Sequence, residues 1–233
     1  MNQEETNSQI YNGIEELELL DAADNYTYSI IDRIKGFFSS TGRTLDFGAG
    51  AGTYAKRLVK NGLPVECVEI DPTLTGMLKD NNLQVHNGLP PIEDSSVEQI
   101  YSINVLEHID DDIETLKGFH RILKEDGRLY LYLPAFPILY SRFDKKIGHF
   151  RRYKKRDLKE KLEIAGFEIK NLGYRDSIGF FVALLFRLTI NSDSVSKKSV
   201  GIYDKLIFPF SKLLDPVLGT FFGKNIEVMA FKK

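Results

Sequence analysis

Short β-rich runs alternate with helical patterns through the middle of the chain, and that alternation restricts the fold more than any other feature of the sequence. The runs fall at Arg43 to Phe47, Val65 to Ile70, Leu83 to His86, Val97 to Asn104 and Gly127 to Leu133. Between them Thr53 to Asn61, Leu74 to Asn81 and Asp111 to Leu123 carry apolar residues at helical spacing, with Gly62 and Asp71-Pro72 as breaks. Helical crossovers between strands imply a parallel sheet, and their right-handedness puts helices on both faces. Further runs at Gly166 to Tyr174 and Glu227 to Phe231 bring the strands to seven. The expected fold is therefore α/β, doubly wound, with a mostly parallel seven-stranded sheet whose ligands bind beyond the carboxyl ends of its strands.

The 233 residues suit one domain with an appended lobe. Residues 1–42 read as an N-terminal helical segment, with Leu17, Leu20, Tyr28, Ile31 and Ile34 spaced for helices over Ile14 to Phe38. Residues 43–174 read as the core, with an acceptor loop over 134–153 and a helix at Arg156 to Ala165. Residues 175–225 exceed what a hairpin needs and read as a helical excursion, with helices at Gly179 to Leu188 and Tyr203 to Leu214. Residues 226–233 return as the last strand.

A net charge of −2 lacks the basic footprint of a nucleic-acid binder, so nucleic acid is not expected as a partner. The single cysteine, Cys67, cannot form an internal disulfide and reads as a small core residue. The first residues show no secretory signal, and the apolar stretch from Ile178 to Ile190 is too short to span a bilayer and contains Arg187. A cytoplasmic location and no transmembrane helix are expected.

The first strand ends in Asp46 and runs into Gly48-Ala49-Gly50-Ala51-Gly52, a turn where bare backbone can approach a ligand. A dinucleotide site would carry a third glycine where Thr53 stands, and Asp46 would repel a pyrophosphate. A nicotinamide oxidoreductase is thereby disfavoured, and a carboxylate at Asp46 suits a ligand with an ammonium group. Glu69, about twenty residues on, can accept hydrogen bonds from ribose hydroxyls, with Ile70 beside an adenine.

Leu45-Asp-Phe-Gly-Ala-Gly-Ala-Gly-Thr53, Val68-Glu-Ile-Asp-Pro72 and Asn104-Val-Leu-Glu-His-Ile109 resemble, in order and spacing, the class I S-adenosylmethionine (SAM) methyltransferases. Their small-molecule branch, related to ubiquinone and menaquinone biosynthesis, is the nearest likeness. Asn25-Tyr26, Pro134 to Pro137 and Gly148 to Tyr153 resemble bacterial methyltransferases associated with polyisoprenyl-phosphate-linked glycans. The resemblance implies a Rossmann-like methyltransferase fold and SAM as cofactor. It implies backbone contacts from Gly48, Ala49 and Gly50 to the methionine portion, with Thr53 opening the helix and Asp46 near the ammonium. Glu69 would hold the ribose, Ile70, Asn87 and Gly88 the adenine, and Asn104 with Val105 the sulfonium side. Asn87 and Gly88 depart from the family's common Asp-Ala pair. A non-catalytic module of the same fold is the alternative, disfavoured because a pure binding module needs no cofactor groups.

A sulfonium methyl needs chiefly a nucleophile held in line and, for a hydroxyl acceptor, a base. His108 and His149 are the candidate bases. Glu107 beside His108 supplies only two adjacent donors, so no metal is expected. Arg151, Arg152 and Tyr153, in a basic stretch continuing to Arg156, read as an anion site for the acceptor, with Tyr26 a further contact. The acceptor is read as a small molecule or a lipid- or glycan-linked one, methylated at oxygen. Apolar Phe180 to Phe186 and Leu206 to Phe210 near basic residues suggest that the excursion is a lid or docking element with peripheral membrane contact, and packing on the sheet or on a second subunit, as a homodimer, is the other reading.

Overall fold

The computed structural model describes Leu19, residues 22–190 and residues 192–233. The part of the N-terminal helical segment that includes Leu17 and Leu20 lies outside these residues. Helix α1 (Asp24–Phe37) leads into β1 (Thr44–Phe47), α2 (Thr53–Lys60), β2 (Val65–Val68), α3 (Pro72–Asp80), β3 (Gln84–His86) and β4 (Val97–Ile103). A 3-10 turn (Leu106–His108) precedes α4 (Asp112–Ile122) and β5 (Leu123–Pro134). The segment after β5 holds a second 3-10 turn (Pro137–Leu139) and the short α5 (Arg142–Lys146). Then come α6 (Lys155–Ile164), β6 (Phe167–Arg175), α7 (Ser177–Thr189), α8 (Lys197–Ile202), a π-helical turn (Tyr203–Ile207), α9 (Phe208–Leu218) and β7 (Asn225–Lys232).

The seven strands form one sheet in the order β3-β2-β1-β4-β5-β7-β6. Strands β1 to β5 pair in parallel, while β7 runs antiparallel between β5 and β6. Such a sheet is covered on both faces, so its central strands read as nearly continuous apolar runs. One face packs Leu45, Ile100, Leu129 and Leu131 against Leu116, Phe119, Leu158 and Leu162 of α4 and α6. The other packs Tyr101, Tyr130 and Tyr132 against Ile30, Ile34, Tyr54 and Leu58 of α1 and α2. Each fully buried large side chain of this kind contributes roughly 1.5–3 kcal/mol relative to exposure.

Helix starts follow from local chemistry. Asp71 caps α3 by accepting from Thr73 N at 2.9 Å and Leu74 N at 3.0 Å, with Pro72 supplying a preset φ at the first position. The N-cap of α1, Ala23, has no side chain for the task. Asp204 of the π-helical turn performs it instead, accepting from Asn25 N at 2.9 Å and Tyr26 N at 2.8 Å.

Two elements differ from the sequence expectation. Strand β5 starts at Leu123, directly after α4, because its first residues already pair with β4 and the register then shifts between Val97 and Gln99. Asp126, at φ 58°, and Gly127 therefore form an irregularity inside the strand rather than a turn before it. The single helix expected at Tyr203 to Leu214 is instead α8, the π-helical turn and α9, which extends to Leu218. Asp204 lies in this π-helical turn, buried, with its carboxylate on α1. Among the described residues, no helix is long and apolar enough to cross a membrane.

Candidate functional site

The carboxyl ends of β1, β2 and β4 surround the glycine turn. Gly48 N and Ala49 N donate to Val68 O at 2.9 and 3.3 Å, so the turn continues the β1–β2 pairing for one step before bending away. Gly48 has φ 74°, and a Cβ there would lie 2.4 Å from Val105 Cγ2. Only glycine permits this approach of the turn to the end of β4. Val105 thus packs on the turn itself, and Thr53 is buried at the first position of α2.

Glu69 reaches back from β2, its Oε2 accepting from Gly50 N at 2.9 Å. Its Oε1 accepts from Ile70 N at 2.8 Å and Asp71 N at 3.0 Å, which fixes the carboxylate at the lip of the turn. Ile70 stands 75% exposed beside it. Asn87 and Gly88 follow the end of β3, next in the sheet, with Gly88 at φ 93°.

Asp46 is 2% exposed, and burial, with Glu69 nearby, pushes its carboxyl up to about 7 against the opposing influence of the Tyr101 phenol. Its buried Oδ2 has no hydrogen-bond partner among the described residues, and neither has the buried Oδ1 of Asn104. Asn104 sits at φ 52°, a conformation costly for a residue with a Cβ, and is held there by its N–H donating to Tyr132 O at 2.8 Å. Two acceptors without donors therefore flank the glycine turn. An ammonium group supplies both donors and the charge that would return Asp46 to its ionised form. The site thus fits the amino-acid end of SAM.

Beyond β4, the 3-10 turn presents Glu107 and His108 to the segment after β5. Phe150 N donates to Glu107 O at 2.7 Å, which joins the two segments. His149 is 8% exposed, with its ring centroid 4.6 Å from that of His108 and its Nε2 3.8 Å from Glu107 Oε1. Its Nδ1 bonds Asp144 Oδ1 at 2.8 Å. Burial alone would raise the Asp144 carboxyl, but the His149 bond, the Arg152 charge and the Ser141 bond hold it down to about 2. An ionised Asp144 can only accept, so Nδ1 carries the hydrogen and Nε2 is left as the basic atom. His108 differs: burial and the neighbouring His149 push it down to about 4, which makes it a neutral, weak base at physiological pH. One donor atom from each of Glu107, His108 and His149 lies within 4.8 Å of the others, a grouping able to hold a metal ion. The sequence expectation of no metal saw only the first two, because His149 arrives from a different segment.

The profile of a family described as "Methyltransferase domain" matches residues 22–172. This chain belongs to that family. The methyltransferase resembles the ubiquinone biosynthesis O-methyltransferase of Xanthomonas oryzae, at 27% identity over 99 residues, or 38% of this chain and 41% of the relative. The corresponding protein of Xylella fastidiosa is 28% identical over 102 residues, or 40% of this chain and 42% of the relative. The methyltransferase thus spans only about two-fifths of the length of these relatives. Its fold is that of a Thermotoga maritima SAM-dependent methyltransferase, at TM-score 0.65 and 18% identity over 94% of this chain and 95% of that one. It is also that of a Haemonchus contortus phosphoethanolamine N-methyltransferase in complex with SAM, at TM-score 0.60 and 17% identity over 90% of this chain and 52% of that one. The chain is accordingly a methyltransferase-family domain with a Rossmann-like sheet, and the nicotinamide alternative is set aside.

The anion site expected at Arg151 and Arg152 meets internal carboxylates in the methyltransferase. Arg151 pairs with Asp112 at 2.9 Å and donates to Asp110 O at 2.8 Å, while Arg152 Nε donates to Asp144 Oδ1 at 2.8 Å. Tyr153 is 3% exposed within the core, its hydroxyl donating to Asp112 at 2.8 Å. Asp110, Asp112 and Asp144 neutralise this part of the basic stretch, which the linear sequence could not show. Tyr26 is buried under the excursion, edge-on to Tyr132 and Phe208 at 5.8 and 5.5 Å between centroids. Asp144, which orients the His149 ring, is a residue that sequence reasoning passed over. Its signal was present, since Ser141-x-x-Asp144 is a capping box and the histidine follows five residues later.

Proposed function

We propose that this methyltransferase acts on a hydroxyl oxygen of a small-molecule or lipid-linked acceptor, with His149 Nε2 receiving the proton. When bound, SAM supplies a methyl group already activated on sulfur, so an oxygen nucleophile needs little beyond alignment and loss of its proton. Asp46 and Asn104 accept from the ammonium end, and the main chain of Gly48 to Gly50 leaves room for the methionine portion. Glu69 retains acceptor capacity on both oxygens for the ribose hydroxyls. Asp144 holds the imidazole in one tautomer, and Arg152 and Ser141 hold Asp144. The relatives' description as O-methyltransferases supports oxygen as the atom methylated. The resemblance of the segments around Tyr26 and His149 to glycan-associated methyltransferases supports a lipid-linked acceptor.

The observation that carries this reading is the pair of donorless acceptors beside the glycine turn. Calorimetric titration with SAM tests it: Asp46→Ala and Glu69→Ala should each weaken binding about tenfold or more, on the scale of a lost charged hydrogen bond. Affinities equal to the wild type in both variants would remove the site assignment.

A second reading rests on the grouping of Glu107, His108 and His149, which suits a divalent cation that would polarise the acceptor hydroxyl. A neutral His108 is in the form that ligates metals. Treatment with EDTA separates the two. Activity lost to the chelator and restored by magnesium, manganese or zinc favours the cation, whereas indifference to EDTA favours His149 as the base.

A further inference from the structure

We infer that the outer face of the excursion docks on an anionic lipid bilayer. Residues 177–222 are about a fifth of the chain, yet they carry twelve of the nineteen exposed large apolar side chains among the described residues. The positions are ordered. On α7, Phe181, Leu185 and Leu188 repeat at helical spacing on one side. From the π-helical turn into α9, Leu206, Phe210 and Leu213 do the same, with 64%, 62% and 73% of their surface exposed. The opposite side of α9 is committed inward, through Phe208, Ser211 and Asp215. Ser211 Oγ accepts from Ile178 N at 2.9 Å, and Asp215 accepts from Asp176 N and Ser177 N, both at 2.9 Å. The apolar side therefore has no register in which to turn inward. Clustered exposed apolar surface of this kind marks an interaction site.

Charge selects the occupant. Lys197, Lys198, Lys205 and Lys212 are exposed in the same segment, against one exposed acid, Asp193. Asp204 and Asp215 are buried and bonded to backbone amides. An apolar face fringed by lysines complements a negatively charged leaflet, where each basic residue adds to binding. A second copy of the chain is a poorer match, because a two-fold contact would set this fringe against its own image. The face adjoins the end of the sheet where the acceptor is expected, since Phe180 of α7 packs on Phe136 at 5.0 Å between centroids, just past the end of β5. The inference does not depend on the roles given to SAM or His149, and its readout is partitioning alone.

Co-sedimentation of the full chain with vesicles of phosphatidylglycerol and phosphatidylcholine, against phosphatidylcholine alone, tests the inference. Binding is expected to the anionic vesicles, weakening as sodium chloride is raised. Lys205→Gln with Lys212→Gln should lower the partition coefficient by more than tenfold, at about fivefold per basic residue. Phe210→Ser with Leu213→Ser should lower it at least as much, and a cooperative urea transition with an unchanged midpoint shows that both variants fold. Equal binding to the two vesicle types, or wild-type partitioning by both double variants, overturns the proposal. So does a concentration-dependent dimer that Phe210→Ser with Leu213→Ser dissociates while vesicles capture none of the wild type.

Discussion

Asp46 holds a carboxyl group in a place that suits it only when a cation is near. Its proton is bound more tightly in the folded chain than in the unfolded one, from 3.8 up to about 7, so its contribution to stability is greatest at low pH and is lost as pH rises through 7. The shift corresponds to on the order of 4 kcal/mol. Asp46→Asn should therefore melt at a higher temperature than the wild type at pH 8 without ligand, while binding SAM more weakly. Calorimetry on the wild type should show SAM affinity falling as pH drops from 7 to 5, approaching tenfold per unit, because binding must then expel the Asp46 proton. The slope should vanish in Asp46→Asn. At the histidine site, His149→Gln should lower kcat about 100-fold or more. Asp144→Asn should lower it at least tenfold by removing the lock on the tautomer. Both variants should leave the dissociation constant for SAM unchanged. Asp46, Glu69 and the glycines could be read from the sequence because they are consecutive or spaced along one strand-turn-helix unit. The Asp144–His149 pair could not be ranked that way, since the burial that weakens His108 and the Asp144 bond that orients the His149 ring arise only in the fold.

At the scale of elements, the strain in the site is concentrated where β4 ends. Asn104→Gly should relieve the left-handed backbone of Asn104 and stabilise the fold by up to ~1 kcal/mol, as read in urea unfolding. The same change removes Oδ1, so SAM affinity should fall although the protein is more stable. Loss of stability together with affinity would show that Asn104 serves the fold alone. The strands and crossover helices were legible because their apolar periodicity is local and repeats. The start of β5 was not, because Asp126-Gly127 has the composition of a turn while its neighbours are already paired with β4. The break between α8 and α9 was equally hidden, since its cause is the distant amide groups of Asn25 and Tyr26 that Asp204 must reach.

Across the whole molecule, Glu227 of β7 ties elements that are far apart in the chain. Fully buried, it accepts from Tyr130 at 2.9 Å and pairs with Arg33 of α1 at 3.3 Å and with Arg175 of β6. Glu227→Ala leaves the mostly buried Arg175 guanidinium and the Tyr130 hydroxyl without their partner and should cost about 3 kcal/mol, measured as a drop in the urea midpoint. Such a hub is invisible in the sequence, where Arg33, Tyr130, Arg175 and Glu227 look like separate surface charges and one aromatic. The layering of helices on both sides of the sheet was accessible beforehand, because it follows from chain order and handedness alone.

The antiparallel pairing of β6 with β7 begins at Arg175 opposite Asn225, so the excursion leaves and re-enters the sheet at a single rung. Whatever is inserted at that rung can be lengthened, shortened or replaced without altering the strands that carry the glycine turn. On the docking inference, vesicle attachment and cofactor capture reside in separate parts, and a lobe exchanged at this rung should change partitioning onto vesicles while SAM affinity is kept.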